Sequence, residues 1–156
     1  MITRMLSRCT LLMALSVHSL WVAPAFASLG GDAASVLADR LDPNDALSLK
    51  TLQECDIREI ASANGMRIRE FLSRDGIVFA VAWSGPAPAD WRQLLGAHFA
   101  AYGSALAELQ SSGVQHPGNV NTPGLVVEAG GHLRAYVGRA YLPALIPSGM
   151  AAADLN

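Results

Sequence analysis

The stretch that decides the fold is residues 66–83, MRIREFLSRDGIVFAVAW. Its first half alternates: Met66, Ile68 and Leu72 are set against Arg67, Arg69 and Ser73, with Glu70 and Phe71 interrupting each set. Period two marks a half-buried strand. Arg74-Asp75-Gly76 is a tight turn. Residues 77–83 are then apolar throughout, as a strand covered on both faces has to be.

Working outward, residues 54–62 read as a further strand. Ala63-Asn64-Gly65 joins it to the alternating one, and Asn-Gly is the strongest short hairpin signal. Downstream, Gly85, Pro86 and Pro88 end the apolar run. Residues 90–110 then form a helix. Asp90 with Gln93 fits a capping box, which satisfies free N–H groups at the helix start. Trp91, Leu94, Leu95, His98, Phe99, Tyr102, Leu106 and Leu109 fall on one stripe at helical spacing. Residues 111–123 make a long loop holding His116; loops of such length are often functional. Residues 125–129 form a strand, Gly130-Gly131 a two-residue turn, and residues 132–141 the return strand. Pro143 and Pro147 prevent continuation, and Tyr141-Leu142-Pro143 pins the chain end against the sheet.

The element order is therefore β-β-β-α-β-β. The helix has to bury its stripe, and the sheet is the only large apolar surface offered. This predicts an α+β domain: a twisted antiparallel sheet of about five strands with one helix packed on one face. The domain spans residues 49–147, with a C-terminal tail over 148–156. Residues 28–48 are rich in Gly, Ala, Asp and Pro. They read as a loosely held or draped segment, with a short helix over 33–40 and a turn at Asp42-Pro43-Asn44-Asp45.

Residues 1–27 have the layout of a secretory signal peptide. Arg4 and Arg8 make a positive start, an apolar run follows from Leu11, and Pro24-Ala25-Phe26-Ala27 supplies a small-x-small cleavage pattern. Ser16, His18, Ser19 and Pro24 interrupt the apolar run, whereas a membrane span needs about 20 predominantly apolar residues. Cleavage after Ala27 is expected, placing the product in the periplasm or outside the cell. An uncleaved anchor is the alternative.

Composition limits the rest. The chain has 156 residues, 51% hydrophobic and 15% charged, with a formal charge of −2. This fits one globular core and excludes a basic nucleic-acid binder, a disordered tail and a disulfide-dense mini-protein. After cleavage nine basic side chains face thirteen acidic ones, and seven of the acids lie in residues 28–59. Cys55 is then the sole cysteine, so an intrachain disulfide is excluded; a buried small hydrophobe is expected, with an intermolecular disulfide as the alternative.

No reaction motif is present: no Cys-x-x-Cys, His-Glu-x-x-His, Gly-x-Ser-x-Gly, phosphate loop or dinucleotide fingerprint. His98, His116 and His132 are far apart, which suggests no metal site, and no cofactor is implied. The best polar constellation lies on the last strand. Alternation places His132, Arg134, Tyr136 and Gly138 on one face. Glu128 lies across the expected Gly-Gly turn from His132 or Arg134. A carboxylate beside a histidine and an arginine orients a general base or holds an anionic ligand. The plainer reading is a solvated strand face with one cross-strand ion pair. Arg67 and Arg69 line one face of the second strand with Arg58 opposite, interleaved with Asp56, Glu59 and Glu70, as on a neutralised surface. Trp83 and Trp91 flank the strand-to-helix corner and close the end of the core or form an aromatic pocket. His98, on the apolar stripe, reads as a packing residue. Gly65, Gly76, Gly130 and Gly131 sit where turns call for positive φ.

Asp75-Gly76-Ile77-Val78-Phe79-Ala80-Val81-Ala82-Trp83, followed by Gly85-Pro86 and Leu94-Leu95-Gly96, resembles the centre of a small exported domain-of-unknown-function family of Gram-negative bacteria. Leu125-Val126-Val127-Glu128-Ala129-Gly130-Gly131-His132 and Gly138-Arg139-Ala140-Tyr141-Leu142-Pro143 resemble its second half. Ile68-Arg69-Glu70-Phe71 and Leu29-Gly30-Gly31 match as well. The resemblance implies an exported protein of one compact domain and carries over no activity, cofactor or catalytic residue.

The reading from sequence is an exported, periplasmic, non-catalytic domain that binds or assists an exported partner protein. Its candidate surface is Glu128, His132, Arg134 and Tyr136, with the 111–123 loop beside it. Two alternatives stand next to it: a small hydrolase using His132 with Glu128, and an envelope-associated structural protein held by an uncleaved N-terminus.

Overall fold

A computed structural model describes residues 29–32, 45–113 and 118–156. The signal peptide expected over 1–27, the short helix over 33–40, the start of the turn at Asp42 and His116 lie outside the described residues.

Seven antiparallel strands form one sheet among the described residues: β1 (Ala46–Thr51), β2 (Asp56–Ala61), β3 (Arg67–Leu72), β4 (Val78–Gly85), β5 (Val120–Asn121), β6 (Val126–His132) and β7 (Ala135–Tyr141), in the order β1-β2-β3-β4-β7-β6-β5. Helical residues form α1 (Trp91–Leu95), a 3-10 turn (Gly96–His98) and α2 (Phe99–Ser111). The class is α+β, mostly sheet, as the alternation implies.

The apolar run becomes β4, the central strand. Val78 to Trp83 are all buried, because each face carries its own core. On the helix face Val81 and Trp83 join Val127, Ala140 and Tyr102 beneath Leu94 and Leu95. On the far face Phe79, Ala80 and Ala82 join Phe71, Val126 and Tyr141 beneath Leu155, with Cys55 in the same cluster. Residues after β7 supply that second cover: Leu155 is fully buried, and Leu142 N–H donates to Phe79 O. Full burial of Cys55 agrees with the small-hydrophobe reading.

Glu70 and Phe71 interrupt the apolar-polar pattern without breaking the face alternation of β3: Glu70 is buried against Arg58 on the helix face, and Phe71 is buried in the far-face core. The bulge lies on β4, where Leu72 opposes Val78 and Phe71 opposes Ala80, so Phe79 is the extra residue. The turns at Asn64-Gly65 and Asp75-Gly76 form as read, with Gly65 at φ 86° and Gly76 at φ 78°. The first is a five-residue connection between Ala61 and Arg67 rather than a minimal hairpin.

Three expectations need correction. The sheet has seven strands, not about five. β1 is exposed along its whole length and β5 is two residues long, so neither shows the contrast of buried and wet positions that marks a strand. The single helix over 90–110 is interrupted. Asp90 caps it as expected, its carboxylate accepting from Arg92 N–H and Gln93 N–H. Gly96, however, adopts φ 48° and ψ −120°, outside the helical region, and the chain turns there before α2. The apolar stripe survives the break, with Trp91, Phe99, Leu106 and Leu109 packed on the helix-side core.

The third correction concerns the last hairpin. β6 runs straight through Gly130-Gly131, and the turn is Leu133-Arg134. Arg134 takes the left-handed φ of 68°. Gly131 is needed for close approach rather than reversal: a Cβ there would lie 2.1 Å from Ala135 O. Gly130 is not among the positive-φ glycines, against expectation. The register that results sets Val126 against Tyr141 and Glu128 against Arg139, apolar with apolar and acid with base.

Leu29 is buried, and Leu29 N–H donates to Leu94 O. Gly30 N–H donates to Val78 O, and Val78 N–H to Gly31 O. A Cβ on Gly30 would come within 2.8 Å of His98 Nε2, so His98 packs on that backbone.

Candidate functional site

Alternation along the strands composes a charged row across the far face. Glu59 of β2 pairs with Arg69 of β3, Arg69 with Ala82 of β4, Ala82 with Arg139 of β7, and Arg139 with Glu128 of β6. The row reads acid, arginine, alanine, arginine, acid. Each arginine is held from its outer side. Arg69 Nε lies 3.1 Å from Glu59 Oε2, and Arg139 Nε lies 2.6 Å from Glu128 Oε2. The next row is Ala61, Arg67, Ser84, Val137 and Gly130. Arg67 Nη1 reaches the other oxygen of Glu59 at 2.8 Å.

Above these rows is an open groove of about 560 Å³. Ala82, Ser84 and Gly130 form part of its lining, Arg67, Arg69, Arg139 and Glu128 supply charge, and Val137 and Leu155 supply apolar surface. The chain's last residues close one end. Arg69 Nη1 donates to Asn156 O, and Arg139 Nη1 donates to Ala152 O at 2.6 Å. Small residues in the centre leave the space, and the flanking arginines, each paired with Glu59 or Glu128, bring guanidinium groups to its lining. Guanidinium groups so placed recognise carboxylates, phosphates and main-chain carbonyls by paired N–H donation.

The four residues singled out from sequence do not converge. Glu128 belongs to the groove, bonded to Arg139. His132 lies on the same strand four residues on, about 13 Å away at strand rise. Arg134 is in the turn. Tyr136 neighbours Val137 on β7 and therefore points to the helix face. The sequence placed Glu128 across from His132 because it took Gly130-Gly131 for the turn. Moving the reversal to Leu133-Arg134 puts Arg139 there instead. Arg139, Arg69 and Arg67 were missed as a group; the pairing of 126 with 141 by apolar matching is the signal that would have found them.

Arg58 is on the opposite face from Arg67 and Arg69. It is buried against its direct cross-strand partner Glu70, Nη1 to Oε2 3.3 Å, with side-chain exposures of 7% and 2%. Its Nε is buried without a hydrogen-bond partner among the described residues. Trp83 and Trp91 meet edge to face at 5.1 Å, and Trp91 stacks on Tyr102 at 5.3 Å, so the aromatic corner is filled core. Burial raises the Tyr102 hydroxyl above its usual range. Among the described residues no group of three His, Cys, Asp or Glu side chains is arranged to hold a metal. No helix among them is long and apolar enough to cross a membrane.

Fold and groove together define an α+β domain with one helix-covered sheet face and one arginine-lined, partly open face. The chain belongs to the DUF2844 family, described as a protein of unknown function, which matches residues 25–155. No curated protein and no solved structure matches it.

Proposed function

We propose that the protein is an exported, periplasmic, non-catalytic domain that binds an exported partner through the far-face groove. The observation that carries the reading is the row Glu59-Arg69-Ala82-Arg139-Glu128, in which two oriented guanidinium groups flank a small-residue saddle. Preoriented donors beside apolar surface are what recognition sites use. Export rests on the charge, apolar run and Pro24-Ala25-Phe26-Ala27 pattern of the first 27 residues. The hydrolase alternative lacks geometry, because the Glu128 carboxylate is bonded to Arg139 and His132 lies well along the strand.

A second docking surface is favoured by one observation. The β6–β7 turn presents Leu133 at 79% exposure beside Arg134. Affinity capture from periplasmic extract separates the two surfaces. Wild type is compared with Val137→Glu, which charges the groove wall, and with an Arg134→Ala, Tyr136→Ala double variant. Partners lost only by Val137→Glu support the groove; identical partners from all three proteins contradict it. Intact mass of the exported product tests processing: a start at Ser28 is expected, and a retained Met1 defeats the export reading in favour of the uncleaved anchor.

A further inference from the structure

We propose that β1 is the contact by which two copies of this chain join, pairing antiparallel, edge to edge about Ser48, into one sheet that runs through both. The contact is separate from the far-face groove and does not depend on it. β1 begins the strand order, and among the described residues nothing pairs with its outer side. Its ladder to β2 is regular throughout, from Ala46↔Ala61 to Thr51↔Asp56. Leu52 N–H donates to Cys55 O. Alternation therefore turns the main-chain groups of Ser48 and Lys50 toward β2 and those of Leu47, Leu49 and Thr51 outward. Such a row of outward N–H and C=O groups is a template for another strand. The usual protections are missing along β1: it has no proline and no bulge, and its one charge is Lys50. The opposite edge differs, because β5 is only two residues long.

Two observations select a second copy as the strand that fits. The first is apolar. Leu47 and Leu49 share the helix face with their cross-strand partners Ile60 and Arg58, which are each 6% exposed, yet the leucines are 45% and 73% exposed. Cover on that face stops at β2 and leaves an apolar rim. The second is the local palindrome Leu47-Ser48-Leu49. Antiparallel strands match outward residue to outward residue, so self-pairing keeps odd positions opposite odd ones. Centred on Ser48, the register sets Leu47 of each copy against Leu49 of the other, with main-chain bonds exchanged at both pairs. Lys50 of each copy then faces Ala46 of the other, so no like charges oppose. Moving the centre to Leu47 sets Leu49 against Asp45, and moving it to Leu49 sets Leu47 against Thr51. Only the Ser48 register matches leucine with leucine at both positions, and the same patch serves both copies, as a two-fold interface requires.

Light scattering on the full chain, as the cell processes it, tests the contact at micromolar concentration. A mass twice that of one chain is expected, and Leu145→Glu, at an exposed leucine after β7, is expected to leave it unchanged. Leu49→Pro removes an outward N–H and no β1–β2 bond, a position where an edge strand accepts proline. It is expected to halve the mass while far-UV circular dichroism is retained. Introduced cysteines check the register, since positions 48 and 50 are exposed and Cys55 is buried. In the Ser48 register the two Cα atoms of position 48 lie about 4.5 Å apart, within disulfide reach. Those of position 50 lie about 14 Å apart. On mild oxidation Ser48→Cys is expected to give a covalent dimer, and Lys50→Cys to stay uncrosslinked. If Leu49→Pro loses its dichroism, the cysteine variants decide. A wild type of single-chain mass overturns the proposal. So does a dimer that survives in folded Leu49→Pro or is lost in Leu145→Glu, or crosslinking of Lys50→Cys in preference to Ser48→Cys.

Discussion

Cys55 shows how one residue reports the far-face core. It is fully buried, and burial raises its thiol above the ordinary range, with Asp56 and Glu54 adding to the rise. A raised thiol favours the neutral form in the folded chain. Its contribution to stability is complete below the unfolded value of about 8.5 and is lost as pH climbs toward the folded value. Thermal melts should therefore show a decline above about pH 8.5 that is smaller in Cys55→Ala. A thiol reagent should label Cys55 only on unfolding; prompt labelling of the native protein would contradict its burial. Gly138 makes the matching point on the helix face. A Cβ there would lie 2.3 Å from Trp83 Cζ2 and 2.7 Å from Glu128 O. Gly138→Ala is expected to cost about 1–3 kcal/mol through overpacking, read as a lower denaturant midpoint with altered tryptophan fluorescence. An unchanged midpoint and spectrum would mean that the indole does not lie on β7.

At the scale of elements, β2 and β3 are joined by one charged cluster on each face, and the two differ in character. Glu59 with Arg67 and Arg69 is half-exposed and screened, so it contributes little to stability. Arg58 and Glu70 are buried together. Removing one charge of such a buried pair typically costs about 3–5 kcal/mol. Arg58→Met and Glu70→Leu singly should each lower stability by that order, and the double variant should recover most of it. Additive losses in the double-mutant cycle would show that the two side chains do not act as a pair.

The strand and helix elements differ in how far they could be read. The doubly covered strand, the Asn64-Gly65 and Asp75-Gly76 turns, the Asp90 cap and the helix stripe all follow from local composition, because burial and turn geometry select residue types directly. Local rules failed where a residue served two ends. Gly131 looks like a turn glycine and is a close-approach glycine; Gly96 looks like a tolerated helix glycine and breaks the helix. Arg69 and Arg139 lie seventy residues apart in sequence and two strands apart in space. Only the strand order brings them together, and the order depends on which turn closes the last hairpin.

For the whole molecule, the two sheet faces divide the labour. The helix face is closed by α1, α2 and Leu29. The far face is closed only in part, by residues after β7, which leave the arginine row partly open at the groove. At that opening Arg67 and Arg69 share Glu59 and Arg139 holds Glu128, so paired charges and the small residues between them form the exposed surface. Photo-crosslinking in living cells tests that division most directly, with a photoreactive residue placed at Val137 in the groove or at Leu133 in the turn. The account predicts a discrete adduct from position 137, suppressed by Arg69→Gln with Arg139→Gln, and none from position 133. Adducts from 133 alone, or from neither position, would contradict it.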